Sequence, residues 1–157
     1  MPIRDQQKIR RAAVAGRFYE GEALDLRRRM AETEAQLPPP AADARTTPVR
    51  GCILPHAGYL FSLGVAMETM REARHGSYRN VVLLGPSHYV GFHGVAGSTY
   101  TSWRTPFGDL STALTLQEKL EESGNPLFQI SDAAHTQEHS LEVEFPLIQY
   151  FLGSPEI

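Results

Sequence analysis

The sequence predicts an α/β fold, a layered α/β/α arrangement around a largely parallel central sheet. Three observations predict it. The run "NVVLLG" is apolar at every position from Val81 to Leu84, and a strand without alternation is expected where both faces are covered, as in a parallel sheet under helices. Helix-patterned segments precede and follow the apolar run "VRGCIL", and with the second run this gives the strand–helix–strand order of α/β layers. Both runs stop at a proline and deliver a histidine, His56 after Pro55 and His88 after Gly85-Pro86. In open α/β sheets ligands sit outside the carboxyl ends of the strands.

Taken in order, the first dozen residues are basic through Arg4, Lys8, Arg10 and Arg11, and read as a solvated, frayed terminus. Residues 22–37 form a helix, with Leu24, Leu26, Met30 and Leu37 among strong helix formers, and Pro38 to Pro40 end it. The Pro/Ala/Thr-rich stretch 38–48 is a surface connection. "VRGCIL" is the first strand, residues 61–74 a helix, and "NVVLLG" the central strand. Residues 93–110 are strand and turn material punctuated by Pro106 and Gly108. Ser111 or Thr112 caps a helix running to about Glu122, closed by "SGNP". The last helix runs from about Ser140 to Leu152, with Pro146 kinking it. No internal repeat is visible.

With 157 residues, a chain buries roughly 70% of its unfolded surface, which supports one core and hence a single domain over 1–157. A net charge of −3 gives no basic footprint for nucleic acid. No segment approaches the ~20 apolar residues of a membrane span. Arg10-Arg11 is followed by only Ala12 to Ala15 before Gly16, too short for an export signal. One cysteine, Cys52, permits no intrachain disulfide and fits a reducing compartment, so the expected location is cytoplasmic.

His56 and His88 project from the same sheet edge, each fixed by a nearby proline that limits the entropy lost on ordering the loop. His139, in "AHTQEHSLE", is expected at the N-terminus of the last helix, where the dipole favours neutral imidazole. Two imidazoles and a third group suit a borderline divalent metal, Fe(II) with a carboxylate or Zn or Cu with nitrogen and sulfur. Glu138 and Asp132 are the nearby carboxylates. Cys52 is not a ligand beside His56: four strand residues separate them by roughly 13 Å, and it reads as core. His75 and His93 read as surface, and His135 is a weak candidate. Ser87-His88 is no nucleophile motif, because sequence neighbours at a strand exit point apart and no G-x-S-x-G elbow is present. No phosphate loop or dinucleotide fingerprint occurs.

The motifs "AGRFYEG", "LPHAGYLFSLG", "LLGPSHYVGF", "WRTPFGDL" and "EHSLEVEFPLIQYF", in that order, resemble the Memo family, whose prokaryotic members are called AmmeMemoRadiSam system protein B. The resemblance runs from about Ala12 to the C-terminus. That family resembles the class III extradiol (LigB-like) dioxygenases, α/β proteins with a non-haem iron at the strand ends. The resemblance implies that His56 and His88 are metal ligands and that His139 is the pocket acid/base. Phe18 stands where the family often has Trp. Family members are longer, and their last ligand comes from the C-terminal half, so the chain is expected to be the N-terminal part of such a fold with an incomplete site. An apolar sheet edge or helix face is then expected to be exposed near its C-terminus.

The resulting expectation is a metal-dependent, dioxygenase-like oxidoreductase using Fe(II) or Cu, with Zn possible, on a small-molecule substrate. Phe18, Tyr59, Ser87, Tyr89 and Trp103 are candidates to line its pocket. One of Phe18 and Tyr19 is expected over the cleft mouth and the other in the core. The alternative is a module that binds a peptide or protein partner in the same cleft without turnover.

Overall fold

The computed structural model describes residues 7–39 and 49–157; most of the 38–48 connection and Arg4 lie outside the described residues. The chain forms a mixed α/β fold with parallel pairings. Strand β1 (Ile9–Arg10) pairs in parallel with β3 (Ser102–Thr105), which pairs antiparallel with β4 (Gly108–Ser111). A second sheet pairs β2 (Val95–Gly97) in parallel with β5 (Phe128–Ile130). The helices are α1 (Ala23–Gln36), α2 (Tyr59–Arg71), α3 (Leu114–Glu122), α4 (Ala133–Thr136) and α5 (Phe145–Leu152), the last entered through a 3-10 turn at Glu142–Glu144. No helix among the described residues is long and apolar enough to cross a membrane.

The main core lies between α1, α2 and α5. Leu26 and Met30 of α1, Leu63, Ala66, Met67 and Met70 of α2, and Leu147, Ile148 and Phe151 of α5 bury together with Val14 and Tyr19. The i, i+3, i+4, i+7 spacing on α2 makes that stripe. Helix α1 stops at Leu37, whose ψ of 146° is extended, because the ring of Pro38 excludes the helical region for the residue before it. A second cluster, Trp103, Leu110 and Phe145, seals the β1-β3-β4 sheet against the start of α5.

Several expectations are corrected. Val81 to Leu84 is not a central strand buried on both faces. Val81 and Leu83 pack on the helical core, whereas Val82 and Leu84 are 77% and 79% exposed, because nothing among the described residues covers their side. "VRGCIL" pairs with no strand among the described residues; Ile53 is 95% exposed, and Cys52 is exposed rather than core. Pro146 does not kink a helix, since α5 begins at Phe145 and places it in the first turn, where its missing N–H costs nothing. No side chain caps α3; Thr112 Oγ1 instead donates to the Tyr100 carbonyl and accepts from the Trp103 indole.

The termini also differ from expectation. Arg10 is not part of a frayed end: it is 2% exposed and paired with Glu142. At the other end the exposed apolar surface is not at the last residues. Val81 donates to the Glu156 carbonyl, Ala113 to that of Ile157, and Ile157 to that of Ser111, so this end is tied into the fold.

Candidate functional site

Three imidazoles meet at one place. His56 and His88 have ring centroids 5.4 Å apart, His88 and His139 stack at 4.5 Å, and His56 and His139 are 6.3 Å apart. Each arrives by a different local device. His56 leaves the extended run through Pro55 just before α2. His88 follows Gly85-Pro86, and the backbone there approaches the 140–141 segment so closely that a Cβ on Gly85 would lie 2.8 Å from both Ser140 Oγ and Leu141 Cδ2. Ser140 Oγ donates to the Pro86 carbonyl at 2.8 Å, locking the two loops together. A side chain at residue 85 would force Ser140 and Leu141 to move. His139 sits in the turn before the 3-10 segment, its carbonyl accepting from Val143 N–H.

Glu138 organises the group. Its Oε1 lies 2.8 Å from His88 Nδ1 and accepts from the backbone N–H of His139 and of Ser140, while Oε2 accepts from the His88 N–H. Burial pushes this carboxyl up, but the N–H donors of His88, His139 and Ser140 outweigh it and hold the carboxyl at about 2. Among the described residues, His88, Glu138 and His139 are a group whose ligand atoms all lie within 4.8 Å of one another. With its oxygens already taken by donors, Glu138 acts as the partner that orients His88, leaving His88 Nε2 as the free ring nitrogen.

His139 is lowered below the ordinary histidine range by burial, with His88 and His56 adding to the effect and Glu138 opposing it. Burial is the first cause, and the helical run expected from about Ser140 starts at the 3-10 turn Glu142–Glu144 and continues into α5. Among the described residues the Nδ1 of His139 is buried without a hydrogen-bond partner, Glu138 Oε1 lying 3.4 Å away. The donor set is therefore imidazole-rich, with one orphaned nitrogen, and fits a borderline transition metal better than Mg²⁺ or Ca²⁺.

Among the pocket candidates, Phe18 stands edge-on to His139, with centroids 4.8 Å apart, and Tyr89 lies 6.2 Å from it. A tight turn presents Phe18: Gly16 takes φ +77° and its N–H donates to the Tyr19 carbonyl. Tyr19 itself is buried at 4%. Tyr59 is core, its hydroxyl donating to the Val143 carbonyl at 2.8 Å. Ser87 Oγ closes a local turn with Val90. Trp103 packs on Tyr100, His135 and Phe145, and among these ring contacts none is to the three clustered imidazoles. His135 bonds the Ala96 carbonyl through Nε2 and so fastens α4 to β2.

Sequence reasoning missed Arg10 and Glu142. The Arg10 guanidinium donates to Glu142 Oε2 and to the carbonyls of His135 and Glu138. Glu142 also accepts from the N–H groups of Ala13 and Val14 and from the Tyr19 hydroxyl. This buried hub ties the "AGRFY" turn to the segment carrying Glu138 and His139. The available signal was a carboxylate pair, Glu142 and Glu144, inside the otherwise apolar "LEVEFPLI": buried charges need partners.

Comparison with known proteins agrees with the motifs. The family model for Memo-like proteins matches residues 10–157. A MEMO1 family protein of Methanothermobacter thermautotrophicus is 38% identical over 149 residues, covering 91% of this chain and 53% of that protein. One from Methanopyrus kandleri is 37% identical over 155 residues, covering 92% and 52%. A memo-1 homolog of Caenorhabditis elegans is 32% identical over 149 residues, covering 94% and 41%. The chain spans about half the length of the curated relatives it matches.

Proposed function

The chain belongs to the Memo family, and from that premise we propose that its histidine cleft holds a redox-active metal ion, Fe(II) or Cu, for dioxygenase-like oxidoreductase chemistry on a small aromatic or related molecule. The convergence of His56, His88 and His139 within 6.3 Å between centroids carries this reading. His56 and His88 are the ligands. Glu138 holds His88 Nδ1 and so aims Nε2 at the ion. A bound metal supplies Lewis acidity and electron transfer toward substrate or O₂.

His139, kept neutral by burial, accepts a proton at a free ring nitrogen, as a general base needs. Phe18, edge-on to His139, shields that face from water and offers a stacking surface for a flat substrate. Zn in the same site would keep the Lewis acidity and lose the redox step.

Anaerobic reconstitution with Fe(II), Cu and Zn in turn, followed by metal analysis, tests the reading. Stoichiometric metal that disappears in the His56→Ala, His88→Ala double variant is expected. A protein that stays metal-free yet binds peptides in the cleft would replace this reading with that of a non-catalytic binding module.

A further inference from the structure

His56 reaches the cleft on a different element from its two neighbours. His88 and His139 are fixed to each other by Glu138, which bonds the His88 ring and the backbone N–H of both residues, and by Ser140 on the Pro86 carbonyl. The segment carrying His56 runs instead into α2 at Tyr59. Among the described residues, the hydrogen bonds that tie residues 56–59 to the other walls of the cleft both come from Tyr59. Its N–H donates to the Phe18 carbonyl at 2.7 Å, and its hydroxyl to the Val143 carbonyl at 2.8 Å.

Tyr19 repeats the arrangement one residue after Phe18. Its hydroxyl donates to Glu142 Oε1 at 2.8 Å, so both phenols end on neighbouring residues of the 3-10 turn at Glu142–Glu144. The Val143 N–H of that turn donates to the His139 carbonyl. The two rings lie 5.5 Å apart, and Tyr19 and Tyr59 are 4% and 3% exposed. Side chains in a close-packed interior have little room to adjust, and a buried phenol is fixed at its far end by its hydrogen-bond partner. Each tyrosine is therefore a strut of set length. Tyr59 spans from the His56 segment to the turn that follows His139, and Tyr19 spans from the Phe18 turn to the same place.

We propose, resting on the metal reading of the cleft, that Tyr59, supported by Tyr19, is a positioning residue that sets the gap between His56 and the His88–His139 pair, and with it the coordination geometry and affinity offered to an ion. Neither tyrosine touches the ion; both act through the imidazoles they place. Partners of this kind alter metal affinity by roughly 10–100-fold when replaced.

Tyr59→Phe and Tyr19→Phe each remove one oxygen and keep the ring. Thr105→Val is the control, because the Thr105 hydroxyl is buried and meets Gln149 Oε1 of α5, but β3 contributes nothing to the histidine cleft. The first readout, on the metal-free chain, is the set of nuclear Overhauser effects between the ring protons of His56 and those of His88 and His139. These are expected in wild type and Thr105→Val, and weakened or lost in Tyr59→Phe, with a smaller change in Tyr19→Phe. The second uses Co(II) as the probe ion: its visible spectrum at saturation reports the coordination geometry, and competition with a chelator reports the affinity. Tyr59→Phe should shift the spectrum and bind Co(II) roughly tenfold more weakly, whereas Thr105→Val should match wild type. A Tyr59→Phe protein that keeps the wild-type ring contacts and spectrum overturns the proposal. So does a Thr105→Val protein that changes them as much, since the effect is then one of stability alone. A wild type that takes up no Co(II) overturns the metal reading instead, and the proposed gap-setting role of Tyr59 then stands or falls on the ring contacts.

Discussion

Glu138 grips His88 at two points, Oε1 to the ring Nδ1 at 2.8 Å and Oε2 to the backbone N–H. One carboxylate therefore sets both the loop position and the ring orientation of a candidate ligand. Glu138→Gln keeps the shape and loses the charge, so His88 should rotate more freely. The expected result is metal affinity lower by roughly 10–100-fold, read by competition with a chelator. Unchanged affinity would show that His88 is oriented by something else.

The same carboxyl links stability to pH. Its folded value, about 2, lies below its ordinary value of 4.5, so its contribution is fully present above 4.5 and is lost as pH falls toward 2. Asp132 and Glu34 are also lowered, so the difference between wild type and Glu138→Gln isolates the Glu138 share. In denaturant titrations of metal-free protein that difference should shrink from pH 5 to pH 2. A constant difference would contradict the assignment.

Phe18 packs its ring on His139, and burial is the main cause of the depressed imidazole value. Phe18→Ala admits water and should raise the His139 pKa toward the ordinary range while costing about 0.5–1.5 kcal/mol of lost ring contact. Histidine ring resonances followed by NMR across pH give the first quantity, and thermal unfolding the second. Phe18→Trp should keep His139 depressed.

The clustering of the candidate histidines was legible because two of them, His56 and His88, are marked by what precedes them. Pro55 and Gly85-Pro86 end apolar runs abruptly, and a side chain following such a stop is held at a strand end. The helices 22–37 and 61–74 were legible from their apolar spacing, the first also from its proline stop, and α1 and α2 follow them within one to three residues at every boundary. The strands were not. An unbroken apolar run predicts two covered faces only when a second layer exists, and here Val82 and Leu84 have none. Strands β1 and β5 are too short, at 2 and 3 residues, to show a period. Glu138 was visible only as a nearby carboxylate, because the contact that defines it is with His88, 50 residues away.

Arg10 makes the cost of such long-range pairing measurable. Its guanidinium is 2% exposed and meets Glu142, itself 1% exposed, and it also bonds the carbonyls of His135 and Glu138. Arg10→Ala strands a buried carboxylate and two acceptors, and should destabilise by about 3–5 kcal/mol. The double replacement Arg10→Met, Glu142→Leu should recover part of that loss, although the donors of Ala13, Val14 and Tyr19 then lose their acceptor. Chemical denaturation of the three proteins decides it; a loss below about 1 kcal/mol for Arg10→Ala would mean that the hub relaxes without cost.

Glu144 gives the opposite pH signature to Glu138. Burial raises its carboxyl from 4.5 to about 8, so the folded state prefers the protonated form. Below 4.5 both folded and unfolded chains hold the proton and stability is unaffected. As pH rises from 4.5 toward 8 the unfolded chain ionises while the folded chain resists, and stability falls by about 1.4 kcal/mol per unit of difference before levelling above 8. Glu144→Gln carries no ionisable group, so its stability relative to wild type should climb through this window and then stay flat. Denaturant midpoints of wild type and variant between pH 4 and 9 give the curve, and parallel lines across that range would show that water already reaches Glu144.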